Sequence, residues 1–145
     1  MFSRPIRGWS DVTIEDFKCD GSYLTDIPHD VLCSAKSALE NDIPFVLYLD
    51  EERNEVFIFS YYERTYVIRQ IEPPELHVFE IDFRDLLAEI MQDFSDFIYD
   101  WSAWAEYELT DDEIDENKVK MEAQIAEIRE LIKQKTNPYD KDSFD

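Results

Sequence analysis

The chain has 145 residues, of which 44% are hydrophobic and 14% are aromatic. This is a common length for one globular domain, and so many large apolar side chains exclude a wholly disordered acidic protein. The 35 acidic residues against 14 basic ones give a formal net charge of −21. That charge excludes direct binding to nucleic acid, since such affinity comes largely from Lys and Arg that neutralise phosphates.

The same charge argues against binding to anionic membranes. No apolar run approaches the length of a bilayer span, and Met1 to Trp9 lacks the apolar segment of a secretory signal. The only two cysteines, Cys19 and Cys33, match no zinc spacing. We therefore expect a cytoplasmic protein with two free thiols, no cofactor and no membrane partner; a Cys19–Cys33 disulfide is the alternative.

The N-terminal 25 residues carry the weakest pattern. Their apolar residues fit either a short strand or a helical turn, and Asp20-Gly21-Ser22 predicts a turn. A helix follows from Asp26 to Asn41, because Pro28 suits a first helical turn and apolar residues then recur at helical spacing.

Four strands are predicted after this helix, from the apolar runs at 45–49, 56–59, 65–71 and 76–81. Their connectors are short, whereas parallel neighbours need long crossovers. The pattern therefore predicts an antiparallel meander, with the helix 26–41 covering one face.

Two long helices are predicted in the C-terminal third. Within 82–107, a heptad-like seam of apolar residues follows Asp82 as the N-cap: Phe83, Leu87, Ile90, Phe94, Phe97, Trp101 and Trp104. A second helix begins near Thr110, where Thr110 and Glu113 fit a capping box. The predicted fold is α+β: an antiparallel sheet of about four strands, one covering helix and a long antiparallel helical hairpin. Residues 1–137 form a single domain in this prediction, and 138–145 form a disordered tail.

One face of the first long helix is strongly acidic. Its carboxylates recur at spacings of three and four residues, and we call them the acidic row: Asp82, Asp85, Glu89, Asp93, Asp96 and Asp100. Arg84 is the only basic residue between 82 and 116, so we expect the row to be uncompensated. Like charges one turn apart destabilise a helix, and carboxylates about 5 Å apart along its axis roughly imitate a phosphate backbone. The row therefore predicts a docking face for a basic protein; the plainer alternative is a solvated helix face.

Tyrosines provide further candidate contacts. Tyr99 and Tyr107 lie among acidic residues near the end of this helix, and Tyr61 lies at a turn beside another tyrosine. Tyrosine is enriched in binding hot spots because it adds large contact area at little entropic cost. Trp101 and Trp104 continue the apolar seam and are predicted to lie in the core.

Catalytic and metal-binding patterns are weak. His29 is expected to be exposed and His77 to point away from the sheet, and neither has a companion serine or cysteine at motif spacing. The acidic clusters at 50–52 and 111–116 lack the glycine and alternating ligands of a calcium loop. No catalytic residue and no metal ligand is therefore assigned.

These patterns favour a non-enzymatic inhibitor of a basic protein, such as a nuclease or another nucleic-acid-handling enzyme. In size and charge the chain resembles small acidic immunity proteins that neutralise toxins, and phage proteins that block host or defence enzymes; the resemblance includes no shared motif. Two alternatives are a homo-oligomeric scaffold, for example a homodimer that uses the heptad seams, and a carboxylate-dependent metal hydrolase.

Overall fold

The computed structural model describes residues 1–52, 54–104 and 109–134. The fold is α+β, as predicted. In chain order the elements are β1 (Trp9–Ile14), β2 (Phe17–Ser22), α1 (Ile27–Asn41), β3 (Phe45–Glu51), β4 (Asn54–Tyr61), β5 (Arg64–Gln70), β6 (Glu75–Phe79), α2 (Phe83–Asp96), α3 (Ile98–Ser102) and α4 (Asp111–Gln134). The predicted tail at 138–145 and the predicted domain end at 137 lie outside the described residues.

The four strands β3 to β6 form one antiparallel sheet in sequential order, which confirms the predicted meander. Its register places Ile58 of β4 opposite Leu47 of β3 and Val67 of β5, and all three side chains are buried. Alternate residues along each strand point to the same face. These positions therefore form the inner face of the sheet, which closes the core.

A second sheet contains only β1 and β2, which pair along their whole length. The predicted turn at Asp20-Gly21-Ser22 is wrong, because these residues end β2 and pair with residues 9–11. The turn lies instead at Glu15 and Asp16, where Glu15 has a φ of 52°. Gly21 serves a close approach: a Cβ there would lie 2.5 Å from Cδ1 of Ile27.

Helix α1 begins where the sequence predicts. The Asp26 side chain accepts a hydrogen bond from the His29 amide at 3.4 Å, and Pro28 lies in the first turn. The helix ends at Asn41, and Asp42, its C-cap, has a left-handed backbone. Its apolar residues, among them Ala35 and Leu39, are buried, and the helix contacts β3 and α4.

The predicted continuous helix over 82–107 is wrong, because the segment is divided. Helix α2 ends at Asp96, Phe97 takes φ −131° and ψ 43°, and the short α3 follows. The break turns the aromatic end of the segment inward: the ring of Trp101 lies 5.5 Å from Phe2 and 5.2 Å from Trp104, centroid to centroid. The predicted seam is buried at every position except the partly buried Phe97. Residues 105–108 lie outside the described part.

Helix α4 begins after Thr110, whose Oγ1 accepts a hydrogen bond from the Glu113 amide at 3.2 Å. The threonine half of the predicted capping box is thus confirmed. The buried residues of the helix are Ile114, Met121, Ile125 and Ile128, and it contacts α1, α2 and α3. The apolar seam predicted within 82–107 and the apolar side of α4 therefore pack within one chain.

Candidate protein-binding surface

The acidic row starts at the N-terminus of α2. The Asp82 side chain accepts a hydrogen bond from the Arg84 amide at 2.9 Å, which is a helix N-cap. Because the helix breaks at Phe97, the last member of the row, Asp100, lies on α3 and the other members after Asp82 lie on α2. The row is therefore not carried by one straight helix.

The N-terminal amino group occupies the middle of the row. The Met1 ammonium lies 2.8 Å from Glu89 Oε1 and 2.9 Å from Asp93 Oδ2, and Asp93 also accepts from the Phe2 amide at 2.9 Å. Burial lowers the pKa of this amino group, but the hydrogen bonds and charges of Glu89 and Asp93 outweigh it and raise the pKa above 8.0. The two carboxylates thus anchor the start of the chain.

Other members of the row also have partners within the chain. Arg4 Nε lies 2.9 Å from Asp100 Oδ2, and Arg84 Nε lies 3.4 Å from Asp82 Oδ1. Asp96 accepts a hydrogen bond from the side-chain Nε2 of Gln92 at 2.7 Å, and Asp85 is exposed. The expectation of an uncompensated row is therefore wrong at Asp82, Glu89, Asp93 and Asp100. At Glu89, Asp93 and Asp100 the prediction overlooked cations that are distant in sequence, the Met1 ammonium and Arg4.

The candidate tyrosines Tyr61 and Tyr99 lie near opposite ends of the acidic row. Tyr99 is exposed, whereas Tyr61 is partly buried at the end of β4 and stacks on Tyr62 at 3.9 Å between ring centroids. The Tyr61 hydroxyl donates to the carbonyl oxygen of Asp42 at 3.2 Å. Tyr107 lies outside the described residues. Tyr99 lies directly beside Asp100 in the chain, and Tyr61 lies next to Tyr62, whose carbonyl oxygen accepts a hydrogen bond from the Phe83 amide at 2.8 Å, beside Asp82.

The histidines and cysteines differ from the prediction in two details. His29 is exposed as expected, but the Sγ of Cys33, one turn later, lies 3.7 Å from its Nε2. His77 faces the inner side of the sheet, not the outside, because its ring packs 5.1 Å from that of Phe17. Both thiols are free, and burial raises the pKa of Cys19 to about 12. Cys19 is therefore an unreactive, protonated thiol near neutral pH.

The described residues contain no group of three or more His, Cys, Asp or Glu side chains placed to hold a metal ion. In the acidic cluster at 50–52, Glu51 is buried and accepts hydrogen bonds from the Ser22 amide at 2.7 Å and the Ser22 hydroxyl at 2.9 Å. That carboxylate joins the two sheets and is used within the fold.

Sequence reasoning missed a surface on the opposite side of the four-stranded sheet. Two rows of side chains cross all four strands there, and every member is apolar or aromatic. We call them the outer sheet face: Val46, Phe59, Tyr66 and Val78 in one row, and Tyr48, Phe57, Ile68 and Leu76 in the other.

The outer sheet face is open to solvent. Leu76 is 65% exposed and Val78 is 51% exposed, while Val46 and Tyr48 at the other edge are 38% and 37% exposed. Between these edges, Phe57, Phe59, Tyr66 and Ile68 are partly buried. The aromatic rings support one another, since Tyr48 stacks on Phe57 at 4.6 Å and Phe57 lies 6.3 Å from Phe59.

Charged residues border this face at both ends of the strands. Asp50 and Glu55 are register partners on neighbouring strands, and they lie beyond the row that contains Tyr48. Arg64 is the register partner of Tyr61 and lies beyond the row that contains Val46. Burial raises the pKa of Tyr48 to about 12, together with hydrogen bonding to Glu55 and the charge of Asp50. The Tyr48 hydroxyl thus links the apolar face to its acidic border.

A signal for this face exists in the sequence. The run Phe45-Val46-Leu47-Tyr48-Leu49 is apolar at every position, and Val56-Phe57-Ile58-Phe59 is as well. A sheet with one solvated face shows alternation, whereas uninterrupted apolar strands indicate two apolar faces.

Comparison with protein-family models, with curated proteins and with solved structures finds no match to this chain. Within residues 1–52, 54–104 and 109–134, no helix is long and apolar enough to cross a membrane. Any function must therefore be argued from the surfaces of the molecule.

Proposed function

We propose that this protein is a non-enzymatic, cytoplasmic inhibitor that binds a basic protein partner, such as a toxin or a nucleic-acid-handling enzyme. The observation that carries the proposal is negative charge that stays on the surface after folding. The first turns of α4 alone carry five exposed carboxylates, at Asp111, Asp112, Glu113, Asp115 and Glu116. A surface of one sign speeds encounter with an oppositely charged partner and disfavours partners of the same sign.

The acidic row contributes less than the sequence alone implies. Asp85, Glu89 and Asp96 are its exposed members, and Tyr99 adds an exposed aromatic ring close by. Glu89 keeps 58% of its side chain exposed although it binds the Met1 ammonium. In this proposal these residues form a partial phosphate-like surface, with Tyr61 and Tyr107 as further contact candidates.

A binding role is favoured over catalysis by what surrounds the thiol–imidazole contact between Cys33 and His29. His29 lies in the first turn of α1 and Cys33 one turn later, and the amides of Ile27, His29 and Asp30 already donate to Thr25 and Asp26. Acyl transfer by a cysteine needs free donors that stabilise the developing oxyanion, and these amides are already used.

The proposal also assigns roles to the helices. We take α1 as the layer that covers the inner face of the sheet, and α2–α3 with α4 as an antiparallel hairpin behind it. Because the apolar seams are used inside the chain, a scaffold built by those seams is the weaker alternative.

The test is affinity capture from the native host's lysate with the full chain at low and high salt. We expect a basic protein to be recovered at low salt and lost at high salt, since screening weakens exposed charge pairs. Two charge-reversed variants, Asp85→Lys with Asp96→Lys and Asp112→Lys with Glu116→Lys, leave the Met1 contacts intact and should reduce recovery. The neutral variant Asp85→Asn with Asp96→Asn should have a smaller effect. Recovery that ignores both salt and charge reversal contradicts the proposal.

A further inference from the structure

We propose that the outer sheet face is the docking surface, and that its occupant is a protein surface with an apolar centre bordered by Lys and Arg. This inference rests on the proposed function, because it names the site at which the basic partner binds. It concerns a different part of the molecule from the acidic row.

First, within the described part of the chain, folding leaves the apolar side chains of this face without a packing layer over them. The inner face, with Leu47, Ile58 and Val67, already closes the core, and the helices pack on that side. A solvated sheet face is normally polar at alternate positions. Here all eight positions of two complete rows are apolar or aromatic.

The second step is the shape of the face. It spans four strands at about 4.8 Å each, and it is two side-chain rows deep. Contiguous apolar patches of a few hundred Å² on a monomer are often functional. Tyr48, Phe57, Phe59 and Tyr66 supply aromatic rings, which dominate binding energy when they are desolvated.

The third step is the charge of the border. Asp50 and Glu55 flank one end of the face, and Glu80 follows Val78 at the other end, near Arg64. Among the residues that the structure describes, these three carboxylates against one guanidinium match a partner whose own rim is basic. Such a rim sets orientation and association rate, while the apolar centre supplies affinity.

A second copy of this chain fits the face less well. A stable interface takes about 800 Å² from each partner, and the eight side chains provide only part of that area. The remainder would have to come from the border and beyond, where two chains of charge −21 meet. A basic partner converts the same border contacts from repulsion into attraction.

The experiment uses the full chain and a defined probe, a synthetic amphipathic helix of leucine and lysine of about 18 residues, or five turns. Amide chemical shifts are recorded by NMR during titration at low salt. We expect the largest changes in β3 to β6, and a smaller set on α4. The variant Leu76→Gln with Val78→Gln should raise the probe's Kd by on the order of tenfold, because the apolar area that the probe would cover at these two positions is removed.

A matched control is available on α4, because Val119 is 68% exposed and lies away from the sheet. Val119→Gln should leave the Kd unchanged, and unchanged amide spectra of each variant before titration establish that the fold is retained. If the probe binds but its shifts centre on α2 or α4, the inference is overturned and the proposed function stands.

Two further outcomes also overturn the inference. Absence of probe binding at low salt removes the proposed function as well. A dimer of the chain alone at low salt, seen by sedimentation and abolished by Leu76→Gln with Val78→Gln, assigns the face to a second copy of the chain.

Discussion

Glu51 and Ser22 join the two sheets through a pair of buried hydrogen bonds. The carboxylate of Glu51, at the end of β3, accepts from both the amide and the hydroxyl of Ser22, at the end of β2. A second polar link lies on β5, where the Arg69 guanidinium donates to the carbonyl oxygen of Lys18 on β2. The relationship makes Glu51 a structural carboxylate in a chain whose other carboxylates lie mostly on the surface.

Replacing Glu51 should therefore destabilise the protein. Glu51→Leu leaves the Ser22 amide buried without an acceptor, and we expect a loss of about 1–3 kcal/mol in the free energy of unfolding. Glu51→Gln keeps one acceptor oxygen and should cost less. The neighbouring exposed Glu52→Gln is the control, and urea unfolding midpoints provide the measurement. Equal midpoints for the variants at 51 and 52 would contradict the structural role.

Deprotonation of the Met1 ammonium should lower the free energy of unfolding at alkaline pH. Its pKa is raised in the folded protein, so its contribution is fully present below the unfolded value of about 8. The contribution is then lost as the pH rises through the folded pKa. Urea midpoints measured from about pH 7 to about pH 10 should fall more steeply for the native chain than for Glu89→Gln with Asp93→Asn. Asp85→Asn should behave as the native chain does, and a parallel decline in the double variant would count against the ion pairs.

Gly21 and Ile27 should show strong coupling. In Gly21→Ala the new methyl group meets Cδ1 of Ile27, which is fully buried, and overpacking of this kind costs about 1–3 kcal/mol. Ile27→Val removes the atom concerned. In a double-mutant cycle of urea unfolding, we expect the double variant to lose less free energy of unfolding than the two single variants lose together. Simple additivity would show that the close approach does not limit position 21.

Variants at Asp82 distinguish the contribution of its helix cap to stability from the contribution of its charge. Asp82→Asn keeps an oxygen that can accept from the Arg84 amide, whereas Asp82→Ala removes it. We therefore expect Asp82→Ala to cost about 1 kcal/mol of stability and Asp82→Asn to cost much less. Thermal or urea unfolding of both variants tests this. If the two variants lose the same stability, the charge of Asp82 matters more than its cap.

The fold was predictable where the signals were local. The strands β3 to β6 and the start of α1 follow from apolar runs, proline and capping residues that act over a few positions. The hairpin β1–β2 was not predictable, because Asp20-Gly21-Ser22 carries turn-forming residues that serve a different purpose. Gly21 is needed for contact with Ile27, and Ser22 for binding Glu51. Such long-range packing overrides local preference.

The candidate site shows the same division. The spacing of the acidic row was correct as a pattern along the helix, but its partners at Met1 and Arg4 are more than eighty residues away in sequence. The break at Phe97 likewise accompanies the packing of Trp101 against Phe2, which is distant in sequence, and against Trp104. The outer sheet face could have been inferred from the uninterrupted apolar runs, had they been interpreted as two apolar faces.

The strands β3 and β6 lie at the two ends of the sheet order, and their outward side chains are the most exposed part of the apolar face. Along the β3 edge the Val46 and Asp50 amides donate to Ser34 Oγ and Thr25 Oγ1. The β6 edge, beside the exposed Leu76 and Val78, is therefore the template for edge-to-edge stacking of copies into insoluble material. The surplus of carboxylates opposes that stacking, because every approaching copy carries the same sign. High ionic strength or acidification removes this colloidal protection. We therefore expect the purified chain to precipitate under those conditions, and to do so less readily when Leu76 and Val78 are replaced by glutamine.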